Sequence, residues 1–376
     1  MLHVISGHAL AGAEKQVLNT VVGLAKHTLI NPKVLLFHEG VLSRKLRDAG
    51  IEVFVVPLRL LTTPIALSTI RRIISENQID VVHCHGYKAN TMVSAALMGK
   101  RGILRFQTCH GLPEPFSGFK QFKYRLYNVL DRWIMRHRVD RVIAVSRDVH
   151  EFLSSFLPQG KISSLPNSVD IVDGDGQSSI PELKSSLGFD PTDKIVGIIG
   201  RLVPVKNHFT FVDLIAELDS RDSAVRGLVV GDGPLRTELE KYAIQKEISS
   251  KIFFSGFRED VDELLKVIDI VVLTSLHEGL PMVLLEALGQ GVPVVASDVG
   301  GVAEVLSQFC SECLIPPADT KGFADRCMSI LHNPDRRVHL AAAGKRIVAE
   351  RYSLKVCSAL LADIYQEEYR KKQGVV

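Results

Sequence analysis

Ile268-Asp-Ile-Val-Val-Leu-Thr274, Ser275-Leu-His-Glu-Gly-Leu-Pro281, Met282-Val-Leu-Leu-Glu-Ala-Leu-Gly-Gln290 and Pro293-Val-Val-Ala-Ser-Asp-Val-Gly-Gly301 follow one another almost without a break. The pattern predicts two βα units in succession: a strand over 268–274, a helix over about 281–290, a second strand over 293–296, and another helix opened by two glycines. Gly279 permits a tight turn after the first strand. Pro281 suits the first helical position, where its missing N–H would be unpaired anyway. The backbone N–H groups of Leu280, Met282 and Val283 are then expected to point past the strand ends, where open α/β sheets bind ligands. An anion is the natural occupant of such a place.

Two carboxylates frame that helix, Glu278 just before it and Glu286 within it, with seven residues between them. Three and four positions before Glu286 stand Val283 and Met282, so this acid is not on a charged solvent face and needs a partner. Local rules leave two readings open. Both acids can serve a bound ligand, or Glu278 can simply complement the helix dipole while Glu286 bonds a neighbouring backbone group.

His277-Glu278-Gly-Leu-Pro281, with Glu286 at its spacing, resembles the signature of the retaining family 4 glycosyltransferases, two-domain enzymes of the GT-B fold. The resemblance implies that Glu278 contacts the donor sugar, that the backbone of Gly279, Leu280 and Pro281 holds its phosphates, and that Glu286 bonds the ribose. Further matches run along the chain. In Lys194-Ile-Val-Gly-Ile-Ile-Gly200-Arg-Leu-Val-Pro-Val-Lys206-Asn-His208, Arg201 and Lys206 match the pair that grips the donor diphosphate. A cationic pair there suits charge developing on a leaving phosphate. Gly231-Asp-Gly-Pro234 resembles the turn near the nucleotide; as a dinucleotide fingerprint it fails, because Arg236 stands where the third glycine belongs. Gly256, Phe257 and Arg258 match the loop whose backbone reads the base, and Glu304 follows the glycines at 300 and 301 on the same side.

The bulk numbers fit an ordinary globular protein. At 376 residues, 46% hydrophobic and 23% charged, the chain is long enough for two domains with sizeable cores. No run of 18 apolar residues occurs, and Met1-Leu-His-Val-Ile5 leads into a strand rather than a signal core, so a cytoplasmic protein is expected. The six cysteines agree with that: Cys310 and Cys313 form one CxxC without a second to complete a zinc site, and no metal or redox role is expected of them. The net charge of +3 is unevenly divided. Residues 1–170 hold 22 Lys and Arg against 12 Asp and Glu, and residues 171–376 hold 23 against 30. The first half is the one expected to face something anionic.

After the first strand, Ser6-Gly-His-Ala-Leu-Ala-Gly12-Ala-Glu-Lys15 forms a loop entering a helix. The family usually carries Gly-Gly-Ala-Glu here. Ala11 replaces the first glycine at some loss of backbone freedom, so Gly12 is the expected point of close approach. Strands over 33–37, 52–57 and 80–85, alternating with helices, predict a parallel doubly wound sheet. His83 and His85 are read as alternating across their strand, so that at most one faces the ligand and a zinc pair is not expected. Leu104 to Cys109 is another strand, and His110-Gly111 at its end resembles the family's histidine at the domain cleft. That match implies contact of His110 with the donor sugar or the acceptor, whereas a lone histidine is more often structural.

Residues 119–141 hold seven Lys or Arg against two Asp, interleaved with Phe, Tyr and the only Trp. Such a segment either lies on an anionic membrane surface or packs as an ordinary amphipathic helix. Pro166-Asn-Ser-Val-Asp170 resembles the motif closing the first domain, and Asp173-Gly-Asp-Gly-Gln-Ser-Ser179 reads as a polar linker. Asp173 and Asp175 superficially match the metal-binding pair of the other large glycosyltransferase class. They stand outside any strand end, and no metal role is expected.

The expected fold is α/β, with two Rossmann-like doubly wound parallel-sheet domains facing a cleft. Residues 1–170 form an acceptor-binding domain, 171–190 a linker and 191–355 a nucleotide-sugar-binding domain, while 356–376 is a C-terminal helix packing back on the first domain. The expected function is retaining transfer of a hexosyl or N-acetylhexosaminyl unit from a nucleotide sugar, UDP-linked, to a glycan or lipid-linked acceptor in cell-surface polysaccharide synthesis. Catalysis falls to Glu278, His110, Arg201 and Lys206. Donor binding adds Gly12, Gly231, Gly256, Phe257, Arg258, Gly279, Leu280, Pro281 and Glu286, with no metal, no cofactor, no nucleic acid, and peripheral contact with the inner face of the cytoplasmic membrane through 119–141. Rival readings are a nucleotide-sugar epimerase of the same fold and a non-catalytic sugar-nucleotide sensor; an NAD oxidoreductase is disfavoured by the missing glycine fingerprint.

Overall fold

The computed structural model describes residues 1–7, 11–58, 63–112, 119–171 and 179–374, with the side chains of 119–126 excepted. Asp173 and Asp175 lie outside the described residues. The chain forms two compact units, Met1–Asp170 with Tyr352–Val376, and Ile171–Arg351.

In the first unit the elements are β1 (Leu2–Ile5), α1 (Gly12–Leu24), β2 (Lys33–Leu36), α2 (Val41–Asp48), β3 (Glu52–Val55), α3 (Thr63–Glu76) and β4 (Val81–His85). They continue as α4 (Tyr87–Ala96), β5 (Leu104–Cys109), α5 (Phe119–His137), β6 (Arg141–Ala144), α6 (Arg147–Ser154) and β7 (Ile162–Ser164). The sheet order is β3-β2-β1-β4-β5-β6-β7, every pair parallel. Helices cover both faces, so the strands are apolar on both sides rather than alternating. Leu2 and Val4 pack with Leu35, Ile70 and Val93 on one face; Ile5, Val34 and Leu36 meet Val17, Val21 and Leu46 on the other. The winding reverses between β1 and β4, and ligands of such sheets bind past the strand ends at that point.

The second unit runs α7 (Ile180–Ser186), β8 (Lys194–Ile199), α8 (His208–Arg221), β9 (Val225–Val230), α9 (Arg236–Gln245), β10 (Ile252–Gly256), α10 (Val261–Val267) and β11 (Ile270–Leu273). It ends with α11 (Met282–Gln290), β12 (Val294–Ser297), α12 (Gly300–Leu306), β13 (Leu314–Ile315), α13 (Thr320–Leu331) and α14 (Pro334–Ile347). Its order, β10-β9-β8-β11-β12-β13, is again parallel throughout and reverses between β8 and β11. Part of the segment expected as linker, 179–190, is folded: Ser179 caps α7 by accepting from the Glu182 amide. Cys310 and Cys313, expected as ordinary thiols, are joined in a buried disulfide.

The last helix, α15 (Leu354–Gln373), belongs to the first unit. Val169 and Ser353 pair as a parallel bridge at its start, and a Cβ on Gly23 of α1 would sit 2.8 Å from Leu354 and Ser358, so only glycine lets the two helices cross this closely. Arg141 on β6 bonds Glu368, which fixes the far end of α15.

Candidate active site

The candidate donor site is built at the β8/β11 reversal. Ile270 and Val271 pair with Val196 and Gly197, so the loops leaving β8 and β11 are neighbours although 72 residues separate Lys206 from Glu278. Leu276 donates its amide to the Val205 carbonyl at 2.8 Å, and the Thr274 hydroxyl bonds the carbonyls of Lys206 and Asn207, each at 3.0 Å. Asn207 takes the left-handed conformation (φ 49°) that turns the chain into α8, a conformation asparagine tolerates better than most side chains.

On this frame Lys206 Nζ donates to Glu278 Oε1 at 2.5 Å, and Ser275 Oγ donates to the same oxygen at 2.6 Å. The Glu278 carboxylate is nearly buried while the Lys206 ammonium keeps more contact with solvent. An ammonium has three donors, so Lys206 can hold Glu278 and still reach an anion. Arg201 lies exposed just after β8. Glu286 is buried on α11, as its apolar neighbours in sequence indicate. That helix begins one residue later than expected: Pro281 is extended (φ −70°, ψ 134°) and stands at the cap, with Met282 the first helical residue. Of the first-turn amides of α11, that of Leu284 bonds the Pro281 carbonyl at 3.2 Å, while Met282 and Val283 stand too early in the helix to have an intrahelical acceptor.

The flanking glycines are forced by backbone contact. Gly231 has φ +137°, and a Cβ there would fall 1.9 Å from the Gly200 carbonyl oxygen; one on Gly301 would fall 2.1 Å from that of Gly279. Neighbouring strand ends are tied by backbone bonds, Gly200 N donating to Val230 O at 2.9 Å and Gly231 N to Gly256 O at 2.8 Å. The strand ends therefore come together as one edge of closely packed backbone. Phe257 projects from it and is 55% exposed. Arg258 is engaged by Asp260 through two bonds, 2.7 and 2.5 Å.

The structure thus groups Arg201, Lys206, Gly231, Gly256, Phe257, Arg258, Glu278, Gly279, Leu280, Pro281 and Glu286 at one edge of the second sheet. Gly12 and His110 belong to the first unit, Gly12 opening α1 and His110 following β5. Ala11 costs nothing: at φ −92° and ψ −176° it is in extended backbone open to any residue, and the left-handed glycine of this loop is Gly7, at φ +72°.

The expectation for His83 and His85 is overturned. Side chains two apart on a strand share a face, and the two rings stack with centroids 4.5 Å apart. His3 of β1, in register with His83, joins them, and one ring nitrogen from each of the three lies within 4.8 Å of the others. The Tyr365 hydroxyl of α15 meets His83 Nδ1 at 2.5 Å, and His85 Nδ1 meets His110 Nε2 at 3.1 Å. Burial keeps these imidazoles neutral, with His3 pushed down to about 3 and His110 to about 4. Ser275 and His208 are further residues whose roles the sequence did not disclose. Ser275 bonds Glu278; His208 opens α8 beside Lys206, fully buried, its pKa lowered by burial to about 4.

Two reversing parallel sheets and this donor-side edge define a two-domain transferase of the GT-B class. Residues 179–347 match the family model for glycosyl transferases group 1, and residues 10–173 that for glycosyltransferase family 4. EpsF of Bacillus subtilis, provisionally named a glycosyltransferase, is 29% identical over 79% of each chain. An Escherichia coli enzyme named UDP-Gal:alpha-D-GlcNAc-diphosphoundecaprenol alpha-1,3-galactosyltransferase is 25% identical over 68% of each. Among solved structures, Anabaena HepE in complex with UDP and glucose superposes with a TM-score of 0.84 at 21% identity, over 97% of this chain and 98% of its own. The chain belongs to the group 1, family 4-type glycosyltransferases of GT-B fold.

Proposed function

We propose that this glycosyltransferase takes its sugar from a UDP-linked donor held at the edge of the second sheet, and passes it with retention of configuration to a glycan or lipid-linked acceptor held by the first unit. The observation that carries the donor assignment is the convergence of Arg201, Lys206, Glu278 and the amino end of α11 at the β8/β11 reversal. Arg201, Lys206 and the first-turn amides of α11 stabilise the departing diphosphate, a task that then needs no metal ion. Glu278, held by Ser275 and Lys206 through one oxygen, positions the donor sugar with the other. Glu286 bonds the ribose from inside α11. The UDP found with HepE, and the donor and diphosphoundecaprenol-linked acceptor in the name of the E. coli relative, support the same reading.

Glu286→Gln tests the nucleotide site. The amide still accepts hydrogen bonds but without charge, so UDP affinity should fall by about 1–3 kcal/mol. Calorimetry with UDP and its 2′,3′-dideoxy analogue reads the effect. Equal binding of both to the wild type would remove the ribose role.

The acceptor side bears on a membrane. Tyr127, Val129, Leu130 and Trp133 are exposed together on α5, with the Arg138 guanidinium 5.8 Å over the Trp133 ring. Apolar and aromatic groups beside cations suit a headgroup layer. The side chains of Phe119, Lys120, Phe122, Lys123, Tyr124 and Arg125, which complete the basic segment, lie outside the described residues. No helix among the described residues is long and apolar enough to cross a membrane. Sedimentation with vesicles should show binding to anionic but not neutral lipid, fading toward roughly 0.5 M salt as screening shortens. Charge reversal at Lys120, Lys123 and Arg125 should abolish it; equal sedimentation with both vesicles, or with neither, would leave α5 as an ordinary packed helix.

A further inference from the structure

A line of three histidines crosses the first sheet at its own reversal point. His3 on β1 and His85 on β4 stand on the face that α15 covers, and His110 follows β5. His3 Nδ1 is 3.1 Å from His85 Nε2, and His85 Nδ1 is 3.1 Å from His110 Nε2. The ring planes are within 17° and 28° of parallel, with centroids 5.4 and 5.3 Å apart. These separations exceed the N···N distances by about two ring radii, so the rings lie edge to edge along their N–H···N bonds rather than face to face.

A neutral imidazole has one N–H and one lone pair. Burial keeps all three neutral, and His85 can donate through one nitrogen only while it accepts through the other. Both bonds must therefore point the same way along the line. Its ends are His3 Nε2 and His110 Nδ1, two buried atoms with no hydrogen-bond partner among the described residues. Pointing toward His3 would strand an N–H on His3, which is 0% exposed. Pointing toward His110 places that N–H on a partly exposed residue at the carboxyl edge of the sheet, on an atom that is itself covered, so a ligand accepts it only by displacing what covers the ring, whereas His3 has no exposed surface at all. Orphaned buried N–H groups are rarer than under-satisfied acceptors, so the second arrangement is favoured.

We infer that His3 and His85 are positioning residues that hold His110 as the Nδ1–H tautomer, so that His110 serves a sugar substrate as a neutral hydrogen-bond donor to one of its oxygens. The identity of that oxygen rests on the glycosyltransferase reading; the tautomer does not. His83 stays outside the line. The Tyr365 hydroxyl, kept protonated by burial, donates to His83 Nδ1, and His83 Nε2–H then donates to Thr108 Oγ1 at 2.7 Å. His83 thus walls His85 on one side by stacking and leaves the line's direction to His3.

The test is nitrogen NMR of histidine-labelled full-length protein at neutral pH, with His110 assigned by the signal lost in His110→Ala. The wild type should show His110 protonated at Nδ1 and bare at Nε2. His85→Leu should mix the two forms and lower kcat for sugar transfer on the order of tenfold, as loss of an orienting partner does, with UDP affinity unchanged. His85→Asn, whose amide takes the place of Nδ1 and can donate to His110 Nε2, should restore both. If leucine at 85 prevents folding, His3→Leu cuts the line at its far end and should mix the tautomers in the same way. A wild-type His110 protonated at Nε2, or His110 signals and kcat untouched by both leucine variants, overturns the inference. So does a zinc titration that shifts the His3, His83 and His85 nitrogens together, because the cluster would then be a metal site. Should no sugar be transferred at all, the proposed function fails while the nitrogen spectra still decide the tautomer.

Discussion

Arg201→Ala and Lys206→Ala should each lower turnover on the order of 10²-fold or more, in line with losing one donor to the charge that develops on the leaving diphosphate. Lys206→Ala should be the worse of the two. Its ammonium also neutralises Glu278, and the substitution leaves a nearly buried carboxylate with the Ser275 hydroxyl as its one remaining partner among the described residues, its charge uncompensated beside the proposed diphosphate. Lys206→Arg should recover part of the rate, since guanidinium keeps the charge but not the compact fit between Glu278 and a phosphate. Both residues stand in the loop after β8, outside the hydrophobic core, so circular dichroism and melting should stay near wild type. Chelation should leave the wild-type rate unaltered. Near-normal rates of UDP release in both alanine variants would contradict the mechanism.

Acidification should destabilise the fold well above the carboxylate range. Burial lowers the folded-state pKa of His3 to about 3 and of His110 and His208 to about 4, and takes His83 and His85 well below their ordinary value. The same residues titrate near 6.5 once unfolded. Between those limits the unfolded chain binds more protons than the folded one, so stability rises with pH across the window and is lost as pH falls from 6.5 toward 4. Each fully desolvated imidazole contributes about 1.4 kcal/mol per pH unit there. For the set, melting should fall by roughly 10 °C between pH 6.5 and 5.5. Burial raises the Asp131 carboxyl, which opposes the trend. Melting curves across this range decide the matter: His3→Leu should flatten the slope, and a flat wild-type profile would contradict the desolvated state of the cluster.

The placement of the residues proposed for the donor is legible in the sequence because it is written locally. The alternation of strand and helix fixes which loops leave the carboxyl ends of the strands, and Glu278, Gly279 and Pro281 sit in a single loop. Arg201 and Lys206 could be placed on the same side without knowing what they touch. The contact of Lys206 with Glu278 was not legible, since it depends on β8 and β11 being neighbours across 72 residues. The histidine line was missed for the same reason and one more: β1, β4 and β5 are brought side by side only by the strand order, and His83 and His85 were wrongly set on opposite faces. His3, His83 and His85 are nevertheless polar residues inside otherwise apolar buried strands, a pattern that flags a shared polar cluster once the two-residue period is respected. The helix start at Met282 rather than Pro281 is the ordinary uncertainty of a terminal residue.

In the proposed reaction a UDP-linked sugar is bound and cleaved at the Lys206–Glu278 edge. The most direct measurement is release of nucleoside diphosphate by wild type and Lys206→Ala from a matched panel of UDP-, GDP- and ADP-sugars, each with and without added glycan or lipid-linked acceptors. Release is expected from at least one UDP-sugar, accelerated by an acceptor and lowered on the order of 10²-fold in Lys206→Ala. Release from GDP- or ADP-sugars alone, or release from a UDP-sugar at equal rates in both proteins, would contradict it.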